Sequence, residues 1–226
     1  MRTFDIGREI LKIVAIITMT VDHVGAILYP DLFVLRIIGR IAFPLFAYLI
    51  TLGIESTKKP RRYLITLFSF ALFSQIPYFL AFEMQPFEQL NILFPLLLSA
   101  IALYFFNKKQ TSAFVVILFL AILFSFLFNM EGSFYTILTV LCMKLLRHKL
   151  ELGIIALVAL NLSVTPTTQI ISLLALPLIL LHVQNYLRME IIISESSFLY
   201  LLRKYAFYLY YPFHLTLLFM INLFFF

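Results

Sequence analysis

The sequence contains little charge and almost no cysteine, and each shortage excludes a class of protein. Charged residues make up 12% of the 226 positions, whereas a soluble globular domain carries about 25%. A single cysteine, Cys142, excludes an internal disulfide. The chain also has no CxxC, HExxH or glycine-rich phosphate loop, so the signature motifs of many soluble enzymes are missing.

Apolar residues, by contrast, are abundant at 63% of the chain, and the mean hydropathy is +1.03. About 20 consecutive apolar residues suffice for a helix to cross a bilayer. Runs of this kind predict an all-α, polytopic membrane helical bundle with about nine transmembrane helices, in a range of about 8–10, forming one domain over residues 1–226 without a soluble domain. The predicted spans are Ile10–Tyr29, Leu32–Ile54, Tyr63–Phe82, Asn91–Phe106, Ala113–Phe128, Phe134–Leu146, Leu152–Val164, Thr168–Tyr186 and Tyr205–Phe226.

All but two of the 17 basic residues fall in loops or at span ends on one side of the predicted bundle, and the opposite loops contain none. Because short cytoplasmic loops are enriched in Lys and Arg, the pattern predicts a multi-pass protein of the inner or plasma membrane with a cytoplasmic N-terminus. Basic residues scattered in this way do not form one basic face, so nucleic acid is not an expected partner. The basic residues are Arg2, Arg8, Lys12, Lys58, Lys59, Arg61, Arg62, Lys108, Lys109, Lys144, Arg147, Lys149, Arg188, Arg203 and Lys204.

The two remaining arginines, Arg36 and Arg40, lie inside the second predicted span. The first span contains Asp22 and His23, and the last contains His214. An ionisable group at such a position costs about 2.5–3.5 kcal/mol on insertion scales and usually marks a functional interior. With a rise of 1.5 Å per residue, Asp22 lies roughly 12 Å and Arg40 roughly 13 Å from the outer end of the first hairpin. These polar groups are therefore predicted to gather in the outer half of the membrane.

Adjacent residues on a helix point about 100° apart, so Asp22 and His23 are not expected to pair with each other. We expect Asp22 to pair with Arg40 or Arg36 across the hairpin, leaving His23 facing a cavity. The alternative is that the ion pair only holds two helices together. Pro44 cannot donate a hydrogen bond to the carbonyl of Arg40, which predicts a helix break beside the polar cluster.

Several sequence blocks resemble the TraX family of membrane pilin N-acetyltransferases from conjugation systems, and the resemblance runs nearly end to end. The blocks are LKIVAIITMTVDHVG in the first span, LRIIGRIAFPLFAY in the second, SQIPYFLAF in the third, the pair Glu131-Gly132, and YLYYPFHL over Tyr208–Leu215. The family is similar to a wider group of transmembrane acyltransferases that includes the lysosomal heparan-sulfate acetyltransferase.

This resemblance implies a membrane-bound acetyltransferase that moves an acetyl group from cytosolic acetyl-CoA, without a metal, to an exported peptide or pilin amine or to a glycan. His23 is then the catalytic base or acetyl carrier, with Asp22 and Arg40 beside it in the catalytic group. The residues predicted to bind substrate or cofactor are Arg36, Gln75, Asn91, Glu131, Tyr211 and His214.

A second interpretation is a proton-coupled transporter, because intramembrane Asp, Arg and His groups also form proton relays. Such carriers often contain inverted repeats with matching broken helices. The Asp22-His23 pair and the segment Arg36–Arg40 have no counterparts in the second half of the sequence, which favours the enzyme. A scaffold subunit is the third interpretation, but it would not need five converging ionisable groups.

Overall fold

The computed structural model describes residues 2–164, 167–187, 190–193 and 197–225. Arg188, one of the basic residues predicted to face the cytoplasm, lies outside them. The helices of the described chain are α1 (Ile6–Ile27), α2 (Phe33–Gly39), α3 (Ala42–Ser56), α4 (Pro60–Ala81), α5 (Leu93–Asn107), α6 (Thr111–Leu127), α7 (Ser133–His148), α8 (Leu150–Ser163), a 3-10 helix (Thr167–Ala175), α9 (Leu176–Val183) and α10 (Ser197–Phe225). The predicted helical class is therefore confirmed.

Four helical stretches are long and apolar enough to cross a membrane: Ile6–Ile27, Phe33–Ser56, Pro60–Ala81 and Tyr205–Phe225. Shorter apolar helices cover Leu93–Asn107, Thr111–Leu127, Leu150–Ser163 and Gln169–Val183. Length and composition thus indicate a membrane protein. The count of about nine spans and the cytoplasmic N-terminus stay predictions.

The chain divides into two compact units. The terminal unit comprises Met1–Phe46 with Ile171–Phe226, and the central unit comprises Ala47–Ile170. The organisation as one domain over residues 1–226 stays a prediction. Within the central unit, the largest completely buried side chains include Tyr48, Tyr78, Leu67, Leu103 and Ile137.

Two glycines bring α1 and α2 of the terminal unit into close contact. A Cβ atom on Gly25 would lie 2.6 Å from Cβ of Leu35, and one on Gly39 would collide with the carboxylate of Asp22. Small residues at such positions let helix backbones approach closely. The glycines therefore hold the hairpin tight enough for α2 to reach the Asp22 side chain.

The predicted second span is broken beside its second arginine. Helix α2 ends at Gly39 and α3 begins at Ala42, with Arg40 in the gap. The Arg40 N–H donates to the carbonyls of Arg36 and Ile37, both at 3.2 Å. Pro44 has no N–H to donate to the Arg40 carbonyl, and its ring crowds the preceding turn, which favours a break at this point. The break predicted from the proline is thus present.

A short antiparallel ladder was not expected from the sequence. Strand β1 (Arg2–Asp5) pairs with β2 (Glu190–Ile193), with Asp5 opposite Glu190. The run of isoleucines in β2 suits a strand. Asp5 also caps α1, since its carboxylate accepts from the Arg8 N–H at 3.2 Å.

Candidate active site

Two histidines from the two ends of the chain meet inside the terminal unit. His23 lies on α1 and His214 on α10, and Nδ1 of His23 is 2.6 Å from Nε2 of His214. Their ring centroids are 4.9 Å apart, and the ring planes are within 6° of parallel. Both side chains are buried, at 6% and 3% exposure. The sequence placed both residues in the site but did not indicate that they bond to each other.

The contacts of His214 determine which nitrogens carry protons when both rings are neutral. Its Nδ1 lies 2.9 Å from the carbonyl oxygen of Tyr210. A carbonyl only accepts, so Nδ1 of His214 carries the hydrogen and its Nε2 is the acceptor. His23 must then donate from Nδ1, which places the lone pair of the His23 imidazole on Nε2. The chain Tyr210 carbonyl, His214, His23 therefore orients one basic nitrogen.

Aromatic rings of α10 surround the two imidazoles. The Tyr210 ring stacks on His214 at 5.1 Å, and the Tyr211 ring lies 6.2 Å from that of His23. The Tyr210 hydroxyl is 2.7 Å from Oγ1 of Thr20. Since Thr20 donates its own hydrogen to the Ile16 carbonyl at 2.8 Å, Tyr210 is the donor in this pair. The packing restricts both rings to one orientation.

Tyr211 was predicted as a site residue, whereas Tyr210 and Thr20 were missed. Their helical spacing from the two histidines could have indicated both residues. Thr20 precedes His23 by three residues and Tyr210 precedes His214 by four, so each pair shares a helix face.

Asp22 turns away from His23 toward α2, as the angle between neighbouring helical residues predicts. Nη1 of Arg36 donates to its Oδ2 at 2.6 Å and to its backbone carbonyl at 3.0 Å. Arg40 is a looser partner, with Nη2 3.8 Å from Oδ1. The sequence left the choice between the two arginines open. The structure makes Arg36 the close partner, and Gly39 lets α2 pass directly against Asp22.

Gln75 and Asn91 lie in the central unit, where they bond to each other. Oε1 of Gln75 accepts from the backbone N–H and from Nδ2 of Asn91, at 3.0 and 2.8 Å. Nε2 of Gln75 donates to the Gln89 carbonyl at 2.7 Å. The Asn91 amide also donates to the Ala71 carbonyl and accepts from the Leu93 N–H. These bonds fasten the loop before α5 to α4, and the predicted binding role of both residues stays a prediction.

Glu131, also in the central unit, lies just before α7. Its Oε2 accepts from the Ile92 N–H at 3.0 Å, at the beginning of α5. A carboxylate there satisfies a helix N-terminal donor and complements the helix dipole. This contact gives Glu131 a structural task beside its predicted binding role, which stays a prediction.

The helices and the polar cluster define a class: an apolar helical protein with ionisable groups gathered inside the terminal unit. A model of the family described as TraX protein matches residues 7–222. The chain belongs to the TraX family.

Three curated proteins are similar to the chain. It is 36% identical over 107 residues to an uncharacterized protein of Rickettsia prowazekii (strain Madrid E), covering 47% of the chain and 40% of that protein. It is 27% identical over 241 residues to the probable fimbrial assembly protein FimC of Dichelobacter nodosus (serogroup H1), covering 96% of both. It is 37% identical over 94 residues to Protein TraX of Escherichia coli (strain K12), covering 41% of the chain and 37% of that protein. No solved structure matches.

Proposed function

We propose that the protein is a membrane-bound acetyltransferase that uses acetyl-CoA and an extracytoplasmic amine or hydroxyl. The supporting observation is the chain from the Tyr210 carbonyl through His214 to His23, which leaves a lone pair on Nε2 of His23. An imidazole held in one tautomer by a partner is the usual form of a general base. Membership of the TraX family, which is associated with pilin acetylation, supports the same class of reaction.

In the proposed reaction, Nε2 of His23 takes a proton from the acceptor amine as its nitrogen attacks the thioester carbonyl. A new C–N bond forms, and the C–S bond breaks when the tetrahedral intermediate collapses. The proton passes from His23 to the departing CoA thiolate, so the products are an acetylated amine and free CoA. A hydroxyl acceptor follows the same course with a C–O bond. Transient transfer of the acetyl group to His23 is the alternative route.

Arg36 of α2 and Arg40, which directly follows α2, supply positive charge beside Asp22. Arg36 is committed to Asp22 by two hydrogen bonds, whereas Arg40 makes a looser 3.8 Å contact with the same carboxylate. Arg40 is therefore the better candidate to donate to the developing oxyanion. Arg36 and Asp22 hold it in place. Preorganised donors of this kind are often the largest single term in acyl transfer.

Two sources of acceptor fit the chemistry. The D. nodosus relative carries a name that assigns it to fimbrial assembly, and the alignment covers 96% of it. We therefore propose an exported peptide with a free N-terminal amine, of pilin type, as the first acceptor to test. A glycan hydroxyl or amine is the second.

The deciding experiment supplies labelled acetyl-CoA to the purified full-length protein in nanodiscs, with a synthetic peptide bearing a free N-terminal amine as acceptor. We expect acetyl-peptide and free CoA in equal amounts. His23→Ala should lower the rate by about 10²–10⁴-fold, the usual contribution of a general base, while leaving the helix content unchanged.

His182→Ala is the matched control, because His182 is also buried in the terminal unit but bonds to Asp5, at 3.2 Å. Its rate per folded molecule should remain within about threefold of wild type, since it removes packing and one hydrogen bond only. Substantial activity in His23→Ala would overturn the assignment of the base. Proton-coupled flux in liposomes without acetyl transfer would favour a carrier.

A further inference from the structure

An open pocket lies within the central unit, where α3, α5 and α7 end and α4 begins. Its volume is about 420 Å³, within the range of about 300–1,000 Å³ typical of small-molecule sites. It is lined by Ile54, Glu55, Pro60, Tyr104, Asn107, Lys108, Lys144 and His148. None of these residues takes part in the histidine cluster described above.

One wall of the pocket is a fixed ion-pair network. The Glu55 carboxylate accepts from Nζ of Lys144 at 2.5 Å and from Nε of Arg147 at 2.6 Å. Lys144 also donates to Oδ1 of Asn107 at 2.9 Å, and Arg147 to the Tyr48 hydroxyl at 3.3 Å. The Glu55 and Lys144 side chains are each 13% exposed. This wall is therefore preorganised, with its cations held in defined positions.

The pocket lining adds one further cation, Lys108, without adding a carboxylate. Nζ of Lys108 lies 4.7 Å from the centroid of the Tyr104 ring. Among the lining residues in the described chain, Glu55 is the sole acid. One carboxylate thus faces three permanent cations: Lys108 and Lys144, which line the pocket, and Arg147, which bonds to Glu55.

Helix dipoles account for only part of this surplus. Each helix C-terminus carries about half an elementary negative charge, and three helices end here while one begins. Together they offset about one of the two excess positive charges. A surplus of about one positive charge remains, which suits a ligand carrying phosphate groups.

We propose that this pocket binds the phosphate groups of the CoA moiety of the acetyl donor. The inference rests on the proposed function, which supplies a phosphate-rich substrate. Lys108 is the residue with the most to contribute, because it is exposed and its ammonium lies over the Tyr104 ring, whereas Lys144 and Arg147 bond to Glu55. Lys144 and Arg147, which are held in place by Glu55, then add positive charge to the wall of the pocket. The positive-inside pattern predicts that these loops face the cytosol, where CoA is available.

The test compares Lys108→Gln with Lys109→Gln in nanodiscs of zwitterionic lipid. Lys109 is also exposed and carries the same charge on the same loop, but it does not line the pocket. We expect Lys108→Gln to raise the KM for acetyl-CoA about tenfold with kcat unchanged, the signature of lost ground-state binding. Lys109→Gln should change it less than about twofold. With acetyl-pantetheine, which has no nucleotide phosphates, Lys108→Gln and wild type should behave alike.

Equal effects of the two lysine variants would overturn the proposal and leave the basic residues as topogenic anchors. So would a Lys108→Gln variant that loses retention of phosphatidylglycerol but keeps the wild-type KM, since the phosphate bound would then be a lipid headgroup. A wild-type protein that transfers no acetyl group from either donor would instead overturn the proposed function. The two failures are therefore distinguishable.

Discussion

The two units of the molecule each bury a polar cluster, but the clusters are built differently. In the central unit, Gln75 and Asn91 direct their amide atoms to each other and to backbone groups. In the terminal unit, His23 and His214 form a directional chain that begins at one backbone carbonyl. The first arrangement satisfies its atoms mutually, and the second determines which nitrogen of His23 carries the lone pair.

This difference teaches how buried polar residues divide between structure and chemistry. Amides have fixed donors and acceptors, so a closed set of amide bonds only specifies a conformation. An imidazole exchanges a proton between two nitrogens, so its partner selects which nitrogen is basic. Burial alone would not separate the two, because His214 and Gln75 are 3% and 4% exposed.

The largest expected effect comes from removing the ion pair between Asp22 and Arg36 in the terminal unit. Asp22→Asn leaves Arg36 without its counter-ion in a mostly buried site. We expect a loss of about 3 kcal/mol in the free energy of unfolding, the lower end for a broken buried pair. Thermal unfolding followed by circular dichroism in one detergent measures it.

Asp31→Asn, an exposed acid in the same hairpin, is the control and should cost under about 0.5 kcal/mol. The double variant Asp22→Asn with Arg36→Gln should recover part of the loss, because no charge is then stranded. Equal losses in the Asp22 and Asp31 variants would contradict the ion-pair assignment.

The second prediction tests the direction of the histidine chain. His214→Ala removes the acceptor that fixes the His23 tautomer, so kcat should fall about 100-fold, equivalent to about 2.7 kcal/mol in the barrier. His214→Gln keeps a side-chain oxygen that can accept from His23 and should recover about tenfold of the loss.

The acidic limb of the pH–rate profile should also move in His214→Ala, because that limb reports the base. A merely structural His214 would give equal losses in the Ala and Gln variants and an unshifted profile. Rates from pH 5 to 9 on folded, monodisperse protein distinguish these outcomes.

The smallest expected effect comes from the closed network of the central unit. Asn91→Ala leaves the Ala71 carbonyl and the Leu93 N–H without their side-chain partner, which should cost about 1–3 kcal/mol of stability. Gln110→Ala is the control for Asn91→Ala, because Gln110 is exposed and its side chain makes no cap bond to α6. A fully stable Asn91→Ala with a raised KM would assign Asn91 to substrate binding, as the sequence predicted, and erase the contrast between the clusters.

Much of the candidate site was accessible from helical periodicity. The divergence of Asp22 and His23 follows from a 100° turn per residue, and the break near Arg40 follows from Pro44. The partner of His23 did not follow, because α10 is about 190 residues away along the chain. Periodicity fixes which face of a helix a residue occupies, but not which distant helix packs against that face.

By itself the sequence determined the apolar helical class, the family, and the ionisable residues whose insertion into apolar helices costs free energy. Only the tertiary structure decided which of them touch. It made Arg36 rather than Arg40 the close partner of Asp22, in a hairpin where Gly39 lets α2 lie against the carboxylate. It also paired His23 with His214. A hydrogen bond requires its two atoms to lie about 3 Å apart, and only the packing of α1 against α10 brings these two nitrogens that close.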